Sequence, residues 1–163
     1  MIVAGFDPGL NRTGFGVIRD LPSISVLDFG VIAPRPDNLF TKRLSEIYAG
    51  ARRVLKNYAP DVVAVEEIYF ANNPQTTLKI GIVRGLLFAA ALEQEIEIAS
   101  FSPAEVKMAV IGKGNATKDQ VGFLIARILG IKKEIPEDSA DALAVSLCYL
   151  NHRKYEERLQ TAT

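Results

Sequence analysis

Three short apolar runs follow one another before any helical spacing appears. Residues 2–6 (IVAGF), 14–18 (GFGVI) and 24–33 (ISVLDFGVIA) are each bounded by turn-forming or polar residues. Runs this short and rich in Val, Ile and Phe read as strands. The first is almost wholly apolar, as a central strand covered on both faces requires. The second reads as its hairpin partner. The third ends the meander at Pro34-Arg35-Pro36, with Gly30 expected as a bulge.

From there the pattern changes period. Leu39, Leu44, Ile47, Tyr48, Ala51, Val54 and Leu55 carry helical spacing over 38–58, and residues 62–65 (VVAV) read as a buried strand. Asn73-Pro74 supplies a cap and a first-turn proline for a helix to about residue 93. Residues 96–99 form a fifth strand. Ser102-Pro103-Ala104-Glu105 is a capping box opening a helix over 103–110, and Thr117-Lys118-Asp119-Gln120 is a second, for a helix to about 129. The last helix is expected from near 138 to about 152, followed by a polar tail. Three strands and then alternating helices and strands give an α/β three-layer domain with a mixed five-stranded sheet. At 163 residues the chain suits one domain, placed at 1–152 with 153–163 as the tail.

Charge falls at particular places. Asp7 ends the first strand, before Pro8-Gly9, and Glu66 follows the fourth. Two neighbouring strands ending this way can set carboxylates side by side. Asp138 and Asp141, three apart at the start of the last helix, share a face. Four converging carboxylates would be costly to desolvate, and divalent cations relieve that cost. Oxygen ligands select hard ions, Mg²⁺ first and Mn²⁺ as substitute. Each residue also has a plainer role. Asp7 suits a turn, Glu66 and Glu67 suit a solvated pair, and Asp138 suits a helix N-cap. Alternation along the strand does not choose between Glu66 and Glu67.

The segments GFDPGLNRTGFGVI, VAVEEIYFANNPQTTLKIGIVRG, FSPAEVKMAVIGKGNATKDQV and EDSADALAVSLC resemble, in order and spacing, the RuvC family of bacterial Holliday-junction resolvases. The resemblance covers residues 1 to about 150. It implies an RNase H-like fold and a four-carboxylate site at Asp7, Glu66, Asp138 and Asp141. It also implies two Mg²⁺ ions per site and hydrolysis of four-way junction DNA to 5′-phosphate and 3′-hydroxyl ends. It places Lys107 and Lys118 near the scissile phosphate and Tyr69 against bases at the crossover.

Lys107, Lys113 and Lys118 flank the glycine-rich turn GKGNATK, which offers backbone N–H groups to a phosphate. With Thr117 as cap, Lys118 falls at the first helical position, where a cation opposes the macrodipole unless an anion docks there. Gly81, Gly85 and Ala89 form a small-residue stripe on the second helix. It suits either packing on the chain's own sheet or a homodimer seam, and a two-fold junction calls for a dimer.

Lys plus Arg and Asp plus Glu number 19 each, which alone counts against a nucleic-acid partner, although a neutral total can hide a basic face. A single cysteine, Cys148, and no leader pattern point to a cytoplasmic setting, and no apolar stretch reads as a membrane span. A branch-migration helicase complex is a further partner implied by the resemblance. A sugar-kinase or actin-like ATPase shares the opening motif but needs a second domain.

Overall fold

The computed structural model describes residues 1–68, 73–111 and 120–161 in full, with the backbone of 118 and 119. Five strands form one sheet: β1 (Ile2–Asp7), β2 (Thr13–Arg19), β3 (Ser25–Ile32), β4 (Val62–Glu66) and β5 (Glu97–Phe101). Their order is β3-β2-β1-β4-β5. The first three strands pair antiparallel, whereas β4 joins β1, and β5 joins β4, in parallel. The helices are α1 (Phe40–Tyr58), α2 (Pro74–Leu92), α3 (Pro103–Ile111), α4 (Lys118–Ile128) and α5 (Glu137–Thr161). This is the mixed five-stranded, three-layer α/β architecture expected from the run order.

Strand alternation divides the core. Ala4, Phe6, Val17, Val63 and Val65 pack with Ile47, Ala51 and Leu55 of α1 and Val83 and Leu87 of α2. Val3, Ile18 and Ala64 point to the opposite face, toward α3, α4 and α5. On that face the sheet is nearly bare at the crossing of α5. A Cβ on Gly5 would fall on the Ala142 carbonyl oxygen, and one on Gly14 would fall on the Asp138 carbonyl. The missing side chains let α5 lie directly on the backbone of β1 and β2. Two buried serines of α5 donate to sheet carbonyls: Ser146 Oγ to Gly16 O at 3.1 Å and Ser139 Oγ to Gly30 O at 2.9 Å.

Several local expectations change. Gly30 is not the bulge. Val17 pairs with Asp28 and Ile18 with Val26, so Leu27 is the extra residue. Gly30 is instead small because the Phe15 ring covers it. Asn38 does not start α1; its amide donates to Glu46 Oε1 at 2.6 Å, and α1 begins without a side-chain cap. The polar residues after 152 continue α5 to Thr161. Arg153–Glu157 at 2.8 Å and His152–Glu156 at 3.5 Å support those turns as i,i+4 pairs, and Lys154 reaches Asp20 at 2.9 Å.

Helix α2 is also more apolar than the sequence reading allowed. By length and hydropathy it alone among the described helices could cross a bilayer. Here Val83, Leu87, Ala90 and Ala91 are built into the core. Its other side leaves Leu78, Ile82 and Leu92 exposed, with open space around Gly85.

The close approach of α5 sets a stability test. Gly5→Ala is expected to destabilise the fold by ~3 kcal/mol, because backbone must move. Gly122→Ala, in α4 where an added Cβ meets nothing, is expected to stabilise it by ~0.5–1 kcal/mol. Chemical denaturation of both variants checks the pair, and equal stability would contradict the docking described.

Candidate active site

The parity that sorts the core also aims the carboxylates. Asp7 lies on the Val3 and Gly5 side of β1, and Glu66 on the Ala64 side of β4, so both face α5. The two strands are in register through Phe6 and Val65, which brings Asp7 and Glu66 alongside each other one residue later. Glu67 lies beyond the strand with its side chain exposed; its amide donates to Phe101 O at 2.8 Å. Register, which sequence alternation lacked, therefore separates the two neighbours.

Asp7, Glu66 and Asp141 line one cavity of about 380 Å³, together with Pro103, Val106, Lys107, Val121 and Ala144. All three carboxylates are half-buried and Lys107 is exposed at the wall. A larger cavity of about 590 Å³ shares Asp141 and continues along Phe123 and residues 133–137.

Lys107 is delivered by α3, whose start is the expected capping box. The Glu105 carboxylate accepts from the Ser102 hydroxyl at 2.6 Å and the Ser102 amide at 2.7 Å, and Ser102 Oγ accepts from the Glu105 amide at 3.3 Å. Those bonds, the hydroxyl first, hold Glu105 below the usual carboxylate range.

Asp138 is placed differently. It sits in the first turn of α5, while the capping acceptor is the Pro136 carbonyl, so it is not the N-cap. Its Oδ2 accepts from Arg12 Nε at 2.6 Å, and it does not line the cavity of the other three. Arg12 escaped the sequence reading; an arginine five residues after Asp7 was its only signal. Arg43 escaped too. From α1 its guanidinium donates to Leu10 O at 3.1 Å and to Asn11 Oδ1, bracing the turn after Asp7. Tyr69, Lys113, the side chain of Lys118 and the expected Thr117 cap lie outside the described residues. Cys148 is buried, which pushes its thiol up to about 12 and leaves it a packing residue.

Among the described residues, the donors lining the cavity suit a hard divalent cation: carboxylate oxygens with no sulfur or imidazole. Among the described residues no three acidic, His or Cys side chains form a ready-made cage. Mg²⁺ does not need one, since it takes one or two carboxylates and completes its shell with water and phosphate oxygens.

A β3-β2-β1-β4-β5 sheet, with carboxylates at the ends of two parallel central strands and on the helix laid across them, defines the RNase H-like class of nucleases. The sequence profile described as crossover junction endodeoxyribonuclease RuvC matches residues 3–149. The chain belongs to the RuvC family. It is 39% identical over 153 residues to the crossover junction endodeoxyribonuclease RuvC of Oleidesulfovibrio alaskensis, covering 93% of this chain and 92% of that one. It is also 39% identical over 161 residues to that of Natranaerobius thermophilus, covering 98% and 100%. The structure of T. thermophilus RuvC in complex with Holliday junction substrate superposes with a TM-score of 0.89 at 32% identity, covering 96% of both chains. The yeast mitochondrial Holliday junction resolvase Ydc2, at 17% identity and a TM-score of 0.62 over 96% of this chain and 83% of that one, shares the fold.

Proposed function

We propose that the protein resolves four-way DNA junctions, cutting two symmetric strands by hydrolysis to leave 5′-phosphate and 3′-hydroxyl ends. The observation that carries this reading is the single cavity lined by Asp7, Glu66, Asp141 and Lys107 in a chain of this family. Asp7, Glu66 and Asp141, with Asp138 beside them, would hold two Mg²⁺ ions, and Mn²⁺ would substitute. The chemistry such ions supply is a water made nucleophilic at neutral pH and relief of charge on the departing oxygen. Rigid strand ends hold Asp7 and Glu66 in position, as an accurate ligand set requires. Lys107 sets a cation at the cavity wall, where it attracts a phosphate that the carboxylates alone would repel. Lys113 and Lys118 are proposed to hold flanking phosphates, and Tyr69 to stack on a base at the crossover.

Two symmetric cuts imply two sites, and we assign the homodimer seam to α2. Its exposed side carries Leu78, Ile82, Gly85 and Leu92, and an apolar groove of about 550 Å³ runs beside it along Ile68, Pro74 and Gly81. The inward face is already used by Val83 and Leu87, so the stripe does not serve the chain's own sheet. Residues 1–152 are taken as the nuclease domain and 153–163 as its polar extension. A cytoplasmic setting and a branch-migration helicase complex as partner are proposed on the strength of the family resemblance.

Asp7→Asn, Glu66→Gln, Asp138→Asn and Asp141→Asn are each expected to slow cutting of a labelled four-way junction by roughly a hundredfold or more while junction binding survives. Glu67→Gln should cut at nearly the normal rate. Normal turnover by Asp7→Asn, or a dead Glu67→Gln beside an active Glu66→Gln, would overturn the assignment.

The seam has its own test. Gly85→Leu, at a position with open space around it, should stay folded and sediment as a monomer of 17.8 kDa where the native chain runs at twice that mass. A Gly85→Leu chain that stays dimeric would place the seam elsewhere.

A further inference from the structure

The ion pair between Arg12 and Asp138 joins two elements of the proposed site. Arg12 ends the turn after Asp7, and Asp138 opens the helix that carries Asp141. The backbone of that turn is held at two points: Thr13 Oγ1 donates to Gly9 O at 2.7 Å, and Arg43 donates to Leu10 O at 3.1 Å. With the backbone held, the freedom left at residue 12 is that of its side chain. That side chain is 54% exposed, against 25% for Asp138. An ion pair this open contributes little net stability. Asp138 takes the guanidinium through its Nε, and a guanidinium that leaves this carboxylate can make two parallel N–H bonds to a phosphate.

We infer that Arg12 is a positioning residue that exchanges Asp138 for a phosphate of the bound strand, so that DNA binding releases Asp138 toward the metal cavity. This rests on the nuclease reading above. Without DNA, Arg12 keeps the fourth carboxylate turned away from Asp7, Glu66 and Asp141. With DNA, the same guanidinium holds the backbone, and Asp138 is free to turn to the cation. Metal and junction then favour each other's binding, because each draws one partner out of the same pair, and the coupling is reciprocal. A residue that merely braced the turn would couple nothing.

Two measurements that do not depend on cutting test this. The first is Mn²⁺ binding to the free protein, followed by electron paramagnetic resonance. Arg12→Ala is expected to bind Mn²⁺ about fivefold more tightly than the native chain, and the gain should vanish when Asp138→Asn is added. The second is junction binding in EDTA across a salt series. Arg12→Ala should lower the log–log salt slope by about one, and Arg12→Lys should restore it. Asp138→Asn alone should tighten junction binding, and adding Arg12→Ala should erase that gain; this arm also covers an unstable Arg12→Ala single variant. An Arg12→Ala chain with unchanged or weaker Mn²⁺ binding, or with an unchanged salt slope, would overturn the exchange. A native chain that binds no Mn²⁺, or prefers duplex to junction, would instead overturn the nuclease reading itself.

Discussion

The site depends on how closely α5 lies on the sheet. At the crossing, the sheet offers backbone at Gly5 and Gly14 where other residues would offer side chains. Substituting any side chain there would lift the helix by the thickness of that group. Asp141 would then stand off from Asp7 and Glu66, and the three would no longer share one cavity. Ser139 and Ser146 also tie the helix to the sheet, donating to the carbonyls of Gly30 and Gly16. Packing and chemistry therefore rest on the same contact.

Electrostatics adds the second constraint. A formal net charge of zero conceals a local arrangement in which three carboxylates line a cavity walled by Lys107. Grouping those charges is costly for the fold unless cations or phosphate complete them. The capping box at Ser102 and Glu105 anchors the helix that brings Lys107, and Arg43 braces the turn that follows Asp7.

Much of this was legible in the sequence, for identifiable reasons. The strands showed because buried parallel strands are continuous apolar runs, and Asn73, Ser102 and Glu105 announced their helices through local capping chemistry. Asp7 and Glu66 were visible as strand-end charges. What failed to show was non-local. Choosing Glu66 over Glu67 needs the register with β1. The bulge sits at Leu27 because cross-strand pairing decides it, while Gly30 is small for the sake of the Phe15 ring. The end of α5 was misjudged because apolar spacing stops at 152, although ion pairs carry the helix on. The pairing of Arg12 with Asp138 spans 126 residues, and no local pattern encodes it.

The approach of α5 to β1 and β4 brings Asp7, Glu66 and Asp141 to one cavity, the one proposed to hold the metal. Anomalous X-ray scattering from a crystal grown with Mn²⁺ and a four-way junction would locate that metal. Manganese peaks are expected in contact with all three carboxylates, beside a DNA phosphate. Manganese bound elsewhere on the chain, with Asp7, Glu66 and Asp141 not contacting it, would contradict that placement.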